Sequence, residues 1–144
     1  MLITGRNKRY IDLAKRLALT SDQHHKHAAI LVKGGSVISW SNNRNKFKQW
    51  AQKFRARHRG PATIHAEIGA VLGVSREKTS GADLYVVRVN HKGDLCLSIP
   101  CNMCHEVLSH VGVKRVYYSV DNQTIGCYKV SGGVNEARSN HRCT

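Results

Sequence analysis

The chain has 144 residues, enough for one domain with a sizeable core, and its 41% hydrophobic content excludes a disordered polymer. The longest purely aliphatic run, Ala28 to Val32, is far too short to span a membrane. Twenty-three Lys and Arg against nine Asp and Glu give a net charge of +14 and a pI near 10.0, which favours phosphate-bearing partners over a merely solvated surface.

The first ten residues, MLITGRNKRY, carry basic side chains without an apolar stretch after them. A secretory signal is not expected, and the cytoplasm is the expected compartment. Residues Lys8 to Leu19 place Tyr10, Ile11, Leu13, Ala14, Leu17 and Ala18 on one face, the 3.6-residue period of a helix. Two short strands follow, His27–Lys33 and Val37–Ser41, and Gly34-Gly35 between them predicts a hairpin. Between Asn43 and Gly60 lie seven Lys and Arg and no acid. There Phe47, Trp50, Ala51 and Phe54 make an apolar helical stripe, so the segment reads as a basic lid whose stripe is buried. Interleaved aromatics and cations would also suit stacked single-stranded bases.

Thr63–Leu72 reads as a second helix closed by Gly73, and Leu84–Val89 as a strand. Pro100 is expected to open a helix through Cys101, Cys104, Val107 and Leu108, ending near Gly112. Val116–Ser119 is a strand, Thr124–Val130 a weaker one, and a polar tail begins at Gly132. Late strands separated by helices predict parallel pairing there, hence an α/β fold with a single mixed sheet and helices on its faces. No internal repeat or domain boundary interrupts the chain, so residues 1–144 are expected to form one domain, with its core at about 8–120.

The chemistry concentrates in two places. His65 and Glu67 stand two apart in the small, apolar segment TIHAEIGAV, where an unpaired ionisable group is costly. Cys101 and Cys104, in CNMC, are three apart at a helix start and can grip one ion. Histidine nitrogen and two thiolates suit Zn²⁺, and three protein ligands leave a fourth position open, as in catalytic sites. Glu67 then makes sense as a proton carrier for water activated by the metal. A closed knot completed by Cys96, Cys127 or another histidine would leave Glu67 without purpose, and a redox cysteine pair would leave both His65 and Glu67 unexplained.

His65-Ala66-Glu67 followed by Pro100-Cys101-Asn102-Met103-Cys104 resembles the H-x-E…P-C-x-x-C signature of the cytidine and deoxycytidylate deaminase superfamily. The resemblance spans roughly residues 8 to 120. It implies a three-layer deaminase sandwich, Zn²⁺ on His65, Cys101 and Cys104, Glu67 as general acid/base, and substrate contacts from Asn43, Ala66 and Ser98. A hydrolytic deamination of a cytosine nucleotide follows, with dCMP to dUMP the leading reading and a homo-oligomer expected. The long segment after Asn43 and the strand Val116-Tyr117-Tyr118-Ser119 are similar to deoxycytidylate and phage-type deaminases. Gly69 stands where many of those have Asn, and His65-Ala66-Glu67-Ile68 is closer to the tRNA adenosine deaminases. The charge keeps nucleic acid in view as a partner, through deamination of cytosine in single-stranded DNA or RNA, or of adenosine in RNA, or as a non-catalytic zinc module. The residues His24, His25, Lys26 and His27 are read as surface positions, and Cys96, Cys127 and Cys143 as reduced thiols.

Overall fold

A computed structural model of the chain describes residues 2–21, 25–43 and 65–132. The basic segment after Asn43, its apolar stripe and the C-terminal tail lie outside the described residues.

Helix α1 (Gly5–Ala18) buries Tyr10, Ile11, Ala14 and Ala18, the stripe its period predicts, and starts three residues before the expected Lys8. Strands β1 (Lys26–Lys33) and β2 (Ser36–Asn42) pair antiparallel. Gly34 and Gly35 join them at φ +61° and +77°. Both angles lie in the left-handed region that a two-residue turn of matching twist demands and that side chains disfavour. Helix α2 (Ala66–Val71) follows the basic segment, and a single turn, α3 (Arg76–Thr79), leads into β3 (Asp83–Val89). A two-residue strand β4 (Leu95–Cys96), helix α4 (Asn102–His110), β5 (Arg115–Ser119) and β6 (Ile125–Lys129) complete the order, before a 3₁₀ turn at Val130–Gly132.

The sheet runs β2-β1-β3-β5-β6, with β4 on β3. The expected parallel pairing is confined to β3 and β5, whose connection carries α4; β6 returns antiparallel. The weaker strand signal at Thr124–Val130 is therefore a real edge strand, apolar because both its faces are covered.

The alternation of side chains across the strands makes two cores. Ala28, Ile30, Val32, Tyr85 and Val87 face α1, while Ala29, Leu31, Leu84 and Val86 face α2 and α4. The sheet is thus the middle of three layers, and α2 and α4 share one of its faces. On that face Tyr118 lies over its cross-strand partner Gly126, the residue without a side chain leaving room for the ring. No helix among the described residues is long and apolar enough to cross a membrane.

Candidate zinc centre and active site

The two helices on the β3–β5 face deliver the chemistry from their first turns. His65 is the N-cap of α2, with extended backbone at φ −72° and ψ 146°. Cys101 is the N-cap of α4, at φ −69° and ψ 169°. The helix expected to open at Pro100 therefore begins at Asn102. The extended backbone at Cys101 holds it just outside the helix, while Cys104 sits inside the first turn, fully buried. Glu67, in the first turn of α2, is 5% exposed.

These placements bring His65 Nδ1 to 3.2 Å from Cys104 Sγ and 3.7 Å from Cys101 Sγ. All three ligand atoms lie within 4.8 Å of one another. Zinc bonds of about 2.0–2.3 Å at tetrahedral angles separate nitrogen from sulfur by roughly 3.5 Å, so the donor set is already at the spacing a single zinc ion needs. The exposed Cys101 opens the group to solvent on one side, and buried Cys104 closes it on the other. Among the described residues Cys96 does not join the group, its thiol donating to Asp94 O at 3.6 Å. Cys127 is disulfide-bonded, which corrects the expectation of a reduced thiol there; Cys143 lies outside the described residues.

Electrostatics within the group favour metal binding. A hydrogen bond from Cys104, joined by one from His65, brings the Cys101 thiol down to about 4, so it stands as thiolate. Its partner Cys104 is pushed well up, first by that same bond and then by burial. One shared proton thus holds two sulfurs together where a cation would replace it. Hydrogen bonding to Cys101 raises the His65 imidazole against the effect of burial. Burial raises the Glu67 carboxyl above its ordinary range, with His65 opposing. A carboxyl lifted towards neutrality, beside a metal-ligand set, is suited to taking and returning protons.

The other expected contacts divide. Ala66 is fully buried at the start of α2, between His65 and Glu67. Asn43 is engaged by the protein itself. Its Oδ1 accepts from Ser21 Oγ at 2.6 Å and from the His27 backbone N–H at 2.9 Å, and its Nδ2 donates to His25 O at 2.6 Å. It straps the chain entering β1. Ser98, 4% exposed, spends its hydroxyl on Val86 O at 2.9 Å, on Ser119 Oγ at 2.9 Å and on the Ser119 N–H at 2.8 Å. Both side chains therefore shape the site's surroundings.

His27, expected at the surface, is half-buried and feels His65 and Cys101 through space. Arg88 is its partner on β3. Its cross-strand position beside His27 follows from strand register, and the period-two patterns His27-Ala29-Leu31 and Leu84-Val86-Arg88 were the available signal.

Comparison with known proteins agrees with this geometry. The family model described as "Cytidine and deoxycytidylate deaminase zinc-binding region" matches residues 5–120. A tRNA-specific adenosine deaminase from Agrobacterium fabrum (strain C58 / ATCC 33970) is 31% identical over 110 residues, 74% of this chain; the chain spans 57% of that protein's length. The apo crystal structure of dCMP deaminase from the cyanophage S-TIM5 superposes with a TM-score of 0.56 at 25% identity, covering 77% of this chain and 79% of that one. The same enzyme in complex with dCMP and dUMP gives 0.56 at 24%, covering 77% and 78%. The match over most of the chain, and a ligand set spaced for zinc, place this protein in the cytidine and deoxycytidylate deaminase zinc-binding family.

Proposed function

We propose that the protein is a hydrolytic deaminase of a cytosine mononucleotide, converting dCMP and water to dUMP and ammonia. The observation that carries the reading is the buried Glu67 carboxyl beside the His65, Cys101 and Cys104 donor set. The likeness to the cyanophage dCMP deaminase supports the mononucleotide.

In this reading His65, Cys101 and Cys104 hold the ion. Bound zinc lowers the pKa of water from 15.7 to about 7 and so supplies a nucleophile at neutral pH. Glu67 accepts the proton that the water gives up. It delivers that proton to the ring nitrogen next to the carbon bearing the exocyclic amine, and then carries the proton of the newly added hydroxyl to the departing amine. A C–O bond forms, the C–N bond breaks and ammonia leaves. The raised proton affinity of Glu67 lets one carboxyl serve both directions of transfer. Glu67 is only 5% exposed, so little bulk water reaches its carboxyl.

The +14 charge and the tRNA adenosine deaminase relative favour a second reading, deamination within a polynucleotide. Ammonia release from dCMP, CMP, dCTP, cytidine, single-stranded DNA and RNA separates the two. Turnover of dCMP above every oligonucleotide is expected. Efficient deamination of single strands with none of dCMP would overturn the mononucleotide reading.

A further inference from the structure

Cross-strand partners His27 and Arg88 lie on the sheet face that carries the zinc helices. Together with His25, Leu97, Ser98 and Ile99 they line a cleft of about 320 Å³. Ser98 and Ile99 lie in the segment that runs on into Cys101. Arg88 Nη2 is 3.5 Å from His25 Nδ1. The guanidinium opposite His27 repels the charged form of that imidazole, and none of the described residues lining the cleft is an acid. The repulsion shows in His27, whose imidazole is brought down to about 4 by burial first and by Arg88 next. Among the described residues the lining thus brings together a guanidinium and imidazole nitrogens and includes no carboxylate.

The arrangement is held in place deliberately. Asn43 ties the His25 carbonyl and the His27 amide with the two ends of one side-chain amide. Lys26 Nζ closes the same bend on Ser21 O at 2.6 Å. The Ser98–Ser119 pair pins the opposite wall to β3 and β5, through Val86 O and Arg88 N. Two independent sets of hydrogen bonds thus fix a wall carrying Arg88 beside the metal-ligand group. A planar guanidinium with neighbouring N–H donors is the chemistry that recognises a phosphate.

We propose that this cleft binds the 5′-phosphate monoester of the substrate, with Arg88 as the main specificity determinant and His25 and His27 as supporting donors. The assignment rests on the nucleotide-deaminase reading above and extends it to how a nucleotide is told from a nucleoside. Asn43 is then a positioning residue, acting on the substrate through the two histidines.

The test uses zinc-loaded protein and compares kcat/KM for dCMP and deoxycytidine in wild type, Arg88→Gln and Arg88→Lys, with calorimetric titration of dUMP. Loss of a charge-assisted hydrogen bond should shrink the preference for dCMP over deoxycytidine by roughly 10- to 100-fold in Arg88→Gln. The Lys variant should recover part of it, and dUMP binding should weaken in parallel. Equal losses on both substrates, or unchanged dUMP affinity in a folded Arg88→Gln protein, would overturn the assignment. Should Arg88→Gln not fold, His27→Gln replaces it, with the same dUMP titration deciding. A wild-type protein that releases no ammonia from dCMP yet binds dUMP through Arg88 would sink the dCMP reading and support the anion cleft. Normal dCMP turnover that ignores Arg88 would sink the cleft alone. Arg88-dependent, steeply salt-sensitive turnover of a single strand lacking a terminal phosphate would assign the cleft to a phosphodiester and overturn the monoester.

Discussion

Replacing Gly126 by Ala tests the packing that backs the active-site face. A Cβ built at Gly126 would stand 2.2 Å from Tyr118 Cζ, 2.3 Å from its Oη and 2.6 Å from Cε2. Ordinary carbon contacts begin near 3.5 Å, so the end of the ring must retreat by more than about 1 Å. It has nowhere to go cheaply, being fully buried with Tyr128 at a ring separation of 6.2 Å. Overpacking costs about 1–3 kcal/mol, and three simultaneous overlaps with a rigid ring place this change at the upper end. Expelling the ring instead would forfeit an aromatic core residue, about 3–5 kcal/mol, which caps the loss. Chemical denaturation of zinc-loaded protein should therefore show Gly126→Ala less stable by about 3 kcal/mol. In a Tyr118→Leu background the same substitution should cost less than about 1 kcal/mol, the non-additivity expected of residues in contact. A loss below about 1 kcal/mol in the wild-type background, or an equal loss in both, would refute the packing argument.

Glu67→Ala should fold and retain zinc while deamination falls by ~10²–10⁴-fold or more; activity within a few-fold of wild type would assign proton transfer elsewhere. Cys101→Ala with Cys104→Ala should abolish stoichiometric zinc by metal analysis and lower the thermal midpoint; full zinc in that double variant would disprove the ligand set. His27 adds a pH dependence of defined sign. Its imidazole drops from 6.5 in the unfolded chain to about 4 in the fold, so the unfolded state binds the proton more tightly. The stability it contributes is complete above about pH 6.5 and is lost as pH falls towards 4, by at most about 3 kcal/mol. Denaturation midpoints of His27→Gln should fall less between pH 7 and pH 4.5 than those of wild type, and parallel curves would contradict the assignment.

Much of the site is legible in the sequence because its parts are local. His65 and Glu67 share one short helix start, and Cys101 and Cys104 share another, so spacing alone reports each pair. The sheet reads well where one face is uniformly apolar, as in β1 and β3, and the Gly34-Gly35 turn is unambiguous because few other residues tolerate its angles. The misses have the opposite character. Pro100 signals a helix start, and only the extended backbone at Cys101 shows that the start falls two residues later. Asn43 and Ser98 are expected ligand contacts by resemblance, and the fold adds hydrogen bonds to His27 and Ser119, 16 and 21 positions away along the chain. Nothing in the residue type announces those partners. His27 and Arg88 meet through strand register, and β4, two residues long, is too short for periodicity to report.

The donor atoms of His65 and Cys101 belong to residues 36 positions apart. An ion held between them closes a loop that includes α2, α3, β3 and β4. For a covalent cross-link, closing about 36 residues removes chain entropy worth roughly 4 kcal/mol from the unfolded ensemble. A metal clasp that persists only in the folded state acts on the same topology. The parallel pairing of the sheet, where β3 must find β5 across the α4 crossover, begins inside that loop. The residues that equip the protein for hydrolysis therefore also shorten the effective contour of the chain, so losing the ion would loosen the architecture as well as silence the chemistry.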